Sequence, residues 1–333
     1  MTEGSIPVIA GGQKPAYFHN QFNRDAGMIT VSSSGAYAGF VSFHDHPIFA
    51  SDCFTVVSKD TNLNQKFLFH LLKSKQQTIY QMQTGGGQPH VYARDFDDFE
   101  IPLPPIELQQ NIVDELEGYQ KIIDGCRQVI ENYKPNIEIE PSWEIVKLGD
   151  LAEVKGGKRL PKGGEFSNTP TLHPYIRVSD FKDFSVDTSN LKFISNELHA
   201  QISRYVISSD DIYISIAGTI GLMGEIPEEI SGANLTENAA KLVFKTNKIS
   251  KEYLVYLSAT TLMQNQIQSR THAVGVPKLA LERIRTIEIP IPQIDKQNKI
   301  VKSIKQEISM VNGNKNLISL YTQKIQGRIS KVW

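Results

Sequence analysis

The sequence predicts an α+β protein in which two β-rich modules are separated by a long antiparallel two-helix coiled coil. Three observations carry this expectation. The phrase FEIPLPPIELQQNIVDEL (Phe99–Leu116) recurs as IEIPIPQIDKQNKIVKSI (Ile287–Ile304). The recurrence reaches far upstream of both phrases, so a whole module is duplicated rather than a short motif. Each phrase also opens a helix whose apolar residues are spaced alternately four and three apart.

The duplicated elements come in one order. MITVSSSGAYAGFVSF and DIYISIAGTIGLMGEI each read as a β-rich segment, a Ser/Ala-Gly turn and a second glycine. The stretches NQKFLFHLLKSKQQTIYQM and SKEYLVYLSATTLMQNQI follow as amphipathic helices. At an offset of 188 residues, Gly87 falls on Gly275, Pro89 on Pro277, Pro102 on Pro290, Pro104 on Pro292 and Gln109 on Gln297. IPLP and IPIP are expected as strands, with prolines at an edge or at the exit into the helix, because proline donates nothing to a ladder.

The boundaries that follow are a first module at 1–104, a first spacer helix at 105–135 and a linker at 136–141. A second module at 142–292 and a second spacer helix at 293–333 complete the chain. The second module opens with PSWEIVKLGDLAEV, and Pro174 lies 31 residues after Trp143. The counterpart of Pro174 is Pro7, which only six residues precede, so the first module reads as short of its opening by roughly 25 residues (31 − 6).

In the first long helix the seam comprises Ile112, Leu116, Tyr119, Ile123, Cys126, Ile130 and Tyr133, and Pro135 stops it. In the second it comprises Ile304, Ile308, Val311, Ile318, Ile325, Ile329 and Val332. Gly118, Gly125, Gly313 and Gly327 lie off the seam and cost roughly 1 kcal/mol each against alanine. Neither stripe can be buried by its own helix. The two helices are expected to pack on each other, antiparallel because the intervening module brings the chain back. The alternative is that each helix packs on its own module.

Of the 333 residues, 40% are hydrophobic and 21% charged, and the net charge is −1. That composition is globular. No apolar run approaches the roughly 20 residues of a membrane helix, and the first residues do not form a signal peptide. A cytoplasmic protein without membrane contact is the expectation. Cys53 and Cys126 have no metal or redox spacing and read as buried thiols. A free-standing DNA-binding domain is usually basic, so the charge balance points to local basic surfaces or to a shared grip on DNA. There is no dinucleotide fingerprint, HExxH, nucleophile elbow or D/N-P-P-Y/F methyltransferase motif.

PSWEIVKLGDLAEVKGGKR, the pair IPLPPIELQQNIV and IPIPQIDKQNKIV, and the terminal KIQGRISKVW together resemble the specificity subunit of a Type I restriction–modification system. The resemblance covers the chain from about Ile6 onward. It departs from the family at the missing opening of the first module, which a second polypeptide could supply. It implies two target-recognition domains alternating with two helical spacers, and no chemistry on this chain. Each domain would read one half of a bipartite site in double-stranded DNA. The helices would set the gap between the halves and dock two adenine methyltransferase subunits, which endonuclease/translocase subunits join. No cofactor is implied here; S-adenosylmethionine, ATP and Mg belong to the partner subunits. Two other readings stay open: a coiled-coil scaffold without sequence-specific DNA binding, and the specificity component of a system whose methylase and nuclease are fused.

DNA readout needs cations for phosphate and amide, hydroxyl or guanidinium groups for base edges. KGGKRLPKGG supplies Lys155, Lys158, Arg159 and Lys162 among glycines, as a phosphate-contacting loop or a solvated one. The loops before the proline strands supply Gln88, His90, Tyr92 and Arg94, and Arg270, His272 and Lys278. The Gly-rich turns supply Ser34, Tyr37 and Thr219, and YIRVSDF supplies Arg177; simple hairpin turns are the alternative. The long-helix surface is the expected methyltransferase dock. Gln109 and Gln297 lie at the helix starts, as part of that dock or as caps.

Overall fold

The computed structural model describes residues 4–271 and 277–333. The chain divides into two compact units, Met1–Glu131 with Asn312–Trp333, and Asn132–Val311.

In the first unit, β1 (Ile6–Ile9) lies between β2 (Tyr17–His19) and β5 (Phe49–Ala50), antiparallel to the former and parallel to the latter. A second sheet has β3 (Met28–Ser32) at its centre, antiparallel to β4 (Val41–His44) and β6 (Cys53–Val56). α1 (Gln65–Ser74) and α2 (Gln76–Gln81) follow. α1 starts where Asn64 Oδ1 accepts from the amides of Lys66 and Phe67, a side-chain N-cap. Leu68 and Leu72 on α1 pack with Ile29, Val31, Val41 and Ile79. On the opposite side of α1, Phe67 and Leu71 pack with Ile112, Val113 and Leu116 of the long helix α3 (Ile106–Asn132).

The second unit repeats this plan with more elements. They are β7 (Glu144–Lys147), α4 (Leu148–Leu151), β8 (Ala152–Gly156), β9 (Pro174–Ile176), β10 (Phe181–Lys182) and β11 (Ser185–Val186). Next come β12 (Lys192–Phe193), α5 (Asn196–Ile202), β13 (Val206–Ile207), β14 (Ile212–Ser215), β15 (Met223–Glu225), β16 (Ala233–Leu235) and β17 (Ala239–Phe244). Then follow α6 (Lys251–Ser258), α7 (Thr261–Arg270), α8 (Leu281–Arg285), β18 (Glu288–Ile291) and α9 (Ile294–Ser330). The sheets run β12-β9-β16-β13 and β15-β14-β17-β8, with two-stranded pairs β10-β11 and β18-β7. β15-β14-β17 corresponds to β4-β3-β6 of the first unit, and α6 and α7 to α1 and α2.

One expectation requires correction. IPIP lies in a strand, because β18 has β7 to pair with over Glu288↔Lys147 to Ile291↔Glu144. IPLP at Ile101–Pro104 is extended but is not a strand, because among the described residues nothing pairs with it. The same four-residue chemistry is a strand only where a neighbour accepts its hydrogen bonds.

The second correction concerns the seam. In the first unit the end of α9 runs antiparallel to α3. Arg328 Nε bonds Glu115 Oε2 at 2.7 Å, the rings of Tyr321 and Tyr119 are 5.3 Å apart, and Ile325 and Ile329 pack on the Ile112–Leu116 cluster. Ile304 and Ile308 were expected on that same seam. In the second unit they pack instead with the module core of Leu254, Leu257 and Ile289. There Tyr133 Oη donates to Glu307 Oε2 at 3.1 Å. The seam therefore divides: one stretch serves helix–helix contact, the other serves the adjoining module. Ile123 is buried, while Ile130, Val311 and Ile318 are half-buried.

Each long helix is joined to its module by one buried glutamine. Gln109 Oε1 accepts from the Asn64 amide (2.8 Å), and its Nε2 donates to the carbonyls of Asn62 (2.8 Å) and Pro104 (2.7 Å). Gln297 Oε1 accepts from the Ser250 amide (2.8 Å), and its Nε2 donates to the carbonyls of Lys248 (2.8 Å) and Pro292 (2.9 Å). Both glutamines are 0% exposed. They are neither part of a docking surface nor caps of their own helices alone, because each also satisfies the turn that starts α1 or α6.

Two histidines make the first unit acid-sensitive. Burial pushes His44, bonded to Thr30 Oγ1 at 2.8 Å, down to about 4, and does the same to His70. Both values lie below the unfolded value near 6.5, so the fold holds the neutral rings. Their stabilising contribution is complete above about pH 6.5 and is lost as pH falls toward about 4. Each ring contributes a slope of roughly 1.4 kcal/mol per pH unit in that window. The expected outcome is that unfolding of the first unit, followed by Trp333 fluorescence in a Trp143→Phe background, loses stability from pH 6.5 to 4.5, and that His70→Gln reduces the slope by about one proton.

Candidate nucleic-acid interface

The two polar stretches singled out in each module meet in space. In the first module the Gly35 amide donates to the Pro89 carbonyl (3.0 Å) and the Val91 amide to the Ser33 carbonyl (3.1 Å). Ser34 and His90 form an antiparallel bridge. In the second, the Leu279 amide donates to the Ile216 carbonyl (2.9 Å), and Ala217 bridges Lys278. Each module thus joins the turn of a β-hairpin to the loop before the proline segment, over 50 residues later in sequence.

The turns are built alike. Gly39 (φ +89°) and Gly221 (φ +89°) sit where only glycine is at ease. A Cβ on either would meet the Cγ2 of Ile79 or Ile267 at 3.0 Å. The Gln76 carboxamide donates to the Gly39 carbonyl (2.8 Å), and the Gln264 carboxamide to the Gly221 carbonyl (3.3 Å). Gln76 and Gln264 are 188 residues apart.

Several expected contacts lie exposed on these surfaces. Tyr37, Gln88, Tyr92, Arg94, Thr219 and Lys278 are exposed, and His90 is half-buried. His90 stacks on Tyr92 (centroids 5.9 Å apart, 12° between planes), and the Arg94 guanidinium lies 4.7 Å from the Tyr92 centroid. This aromatic–cation stack offers both a π-face and a charge. His272 lies outside the described residues.

Three candidates are engaged inside their modules. Ser34 is buried and donates to Asp52 Oδ2, while Gln88 Nε2 donates to Ser34 Oγ at 3.2 Å. Arg177 grips the buried Asp180 through Nη2 (2.6 Å) and Nε (3.1 Å). Arg270 donates to the carbonyls of Gln266 and Thr286 and to Thr286 Oγ1, tying α7 to the segment after α8. These donors close turns and helix ends, and sequence position alone did not reveal that.

The KGGKRLPKGG loop leaves β8 close against β16. A Cβ on Gly157 would lie 2.0 Å from the Thr236 carbonyl oxygen, so this glycine permits the approach. Lys155 pairs with Glu153 (2.6 Å) and Arg159 with Glu237 (2.6 Å). Lys158 lies 5.7 Å from the Tyr205 ring centroid. Lys162 is exposed. The Arg159 side chain is 78% exposed, and such surface pairs are worth about 0–1 kcal/mol. A phosphate could take the guanidinium from Glu237 at little cost. Glu237 and Tyr205 were not anticipated; they reach the loop from 78 and 47 residues away, with no signal in spacing. Among the described residues no cluster of His, Cys, Asp and Glu could hold a metal, and no helix is long and apolar enough to cross a membrane.

The comparisons agree with this duplicated architecture. The model of the family described as Type I restriction modification DNA specificity domain matches residues 2–132 and again 140–319. The MjaVIII specificity subunit of a Type I restriction enzyme from Methanocaldococcus jannaschii is 24% identical over 325 residues, covering 87% of this chain and 75% of that one. The EcoBI specificity subunit from Escherichia coli is 24% identical over 294 residues, covering 74% and 60%. Among solved structures, the S subunit of a Type I restriction–modification system from M. genitalium aligns with a TM-score of 0.54 at 20% identity, covering 99% of this chain and 89% of that one. A chain from a study of Type I system assembly and conformational transition aligns with a TM-score of 0.63 at 17% identity, covering 92% and 82%.

Gly39→Ala and Gly221→Ala are each expected to lower unfolding free energy by about 1–2 kcal/mol from the positive φ alone, with a further loss from the contact with Ile79 or Ile267. Denaturant unfolding measures this, with Gly35→Ala and Gly218→Ala as open-space controls that lack the contact.

Proposed function

The chain belongs to the Type I restriction–modification DNA specificity family and is a non-catalytic specificity subunit, and on that premise we propose that it reads a bipartite site in double-stranded DNA. Each module contributes one half-site reader, made of the bridged turn and loop, with Tyr37, Gln88, His90, Tyr92 and Arg94 in the first. Thr219, Lys278 and the Lys155–Lys162 loop serve the second. Backbone phosphates engage Lys155, Lys158, Arg159 and Lys162, and base edges engage the polar groups of the turns. Methyltransferase subunits dock on the long helices, the endonuclease/translocase subunits join them, and the assembly works in the cytoplasm. S-adenosylmethionine, ATP and Mg are carried by those partners.

The observation that supports this most is the atomic repetition of the turn–loop bridge, at Ser34/His90 and at Ala217/Lys278, with a buried glutamine fixing the following helix in each copy. In this reading α3 and α9 form the spacer. A helix rises 1.5 Å per residue and a base step about 3.4 Å, so two turns added to both helices lengthen the gap by about 3 base pairs.

Co-expression with a cognate methyltransferase subunit and mapping of methylated adenines is the test. A split motif is expected, and a heptad inserted in both helices is expected to widen the gap while leaving both half-sites intact. A one-sided motif would remove the first module from readout. No methylation, together with no sequence-selective DNA retention, would favour a scaffold.

A further inference from the structure

In the second module, residues 143–156 complete both the sheet and the core. β8 pairs with β17 from Ala240↔Gly156 to Phe244↔Ala152, and β7 pairs with β18. The Leu148 amide donates to the Ile287 carbonyl at 2.8 Å. Trp143, Leu148, Leu151, Ala152 and Val154 are buried there with Ala240, Leu242, Ile284, Ile287 and Ile289.

The first module has the receiving half of this arrangement. By register on the central strand, β6 corresponds to β17, with Phe54 at Ala240 and Val56 at Leu242. Among the described residues no strand pairs with the outer edge of β6 or with 100–103. Gln65 holds only the end of β6, at the Val56 carbonyl and the Ser58 amide. Phe54, Val56, Phe96, Phe99 and Ile101 are half-buried at the rim of the core, where all five counterparts in the second module are 0% exposed. Leu103 is 52% exposed, against 8% for Ile291. An unpaired edge beside an apolar strip is a template for an added strand.

We propose that this face is an acceptor site for a strand–turn–strand segment of a second polypeptide. The segment would have the form of Trp143–Gly156: one strand against 100–103, one helical turn bearing Leu-Gly-x-Leu, and one strand against β6. A second copy of this chain is a poor donor, because its own Trp143–Gly156 is already seated with Leu148 and Leu151 at 0–2% exposure. The inference rests on the duplicated module alone and stands apart from any reading of DNA.

The test uses the full chain and a synthetic peptide with the sequence of residues 141–157, followed by amide hydrogen exchange. At a peptide concentration ten times Kd, exchange at 53–56 and 100–103 is expected to slow by about tenfold. The counterparts in β17 and β18 should not change, because their seat is filled. A peptide carrying Leu148→Asp and Leu151→Asp should give no slowing. Absence of slowing with the unmodified peptide at several millimolar would overturn the proposal. So would a chain that alone sediments as a dimer with 53–56 already protected, since the occupant would then be a second copy.

Discussion

The structure depends on two carboxamides held away from water. Gln109 and Gln297 each bind one amide and two carbonyls of the backbone, joining the turn before a short helix to the last residues before a long one. A buried backbone group without a partner costs about 1–3 kcal/mol. No water reaches these groups, so the glutamine is their partner and no other side-chain type supplies one acceptor and two donors in that plane. The long helices are therefore fixed in rotation and register to their modules. The turn–loop surface is fixed through the same framework, because α1 and α6 pack on the sheets that carry the turns.

Duplication makes this argument twice. The glycines that admit Ile79 and Ile267, and the glutamines that hold those glycines' carbonyls, occur in both copies with the same contacts. What differs is what faces outward. His90, Tyr92 and Arg94 form a stack in the first module, where the second has Lys278, Ala280 and Glu282. A conserved frame with changed surface groups suits two readers of different sequences.

Much of this was legible in the sequence. The offset of 188, the paired prolines and the heptad spacing located the long helices, and α3 ends at Asn132, close to the stop expected at Pro135. The pairing of each turn with its loop was not legible, because bridges over 50 residues leave no periodic trace. Nor was the engagement of Arg177 and Arg270, whose partners Asp180 and Thr286 become evident only once 3-10 and helix ends are formed. Spacing alone also cannot distinguish a seam that meets another helix, as at Ile325, from one that meets its own module, as at Ile304. IPLP failed as a strand for a nonlocal reason, since a strand needs a partner.

The most direct measurement compares Gln109→Leu and Gln297→Leu with the unaltered chain by denaturant unfolding. Leucine keeps most of the volume and leaves one amide and two carbonyls unbonded. The account predicts that each variant loses about 2–5 kcal/mol, the first in the unit reported by Trp333 and the second in the unit reported by Trp143. A loss below about 0.5 kcal/mol in both, the range of ordinary surface changes, would contradict it.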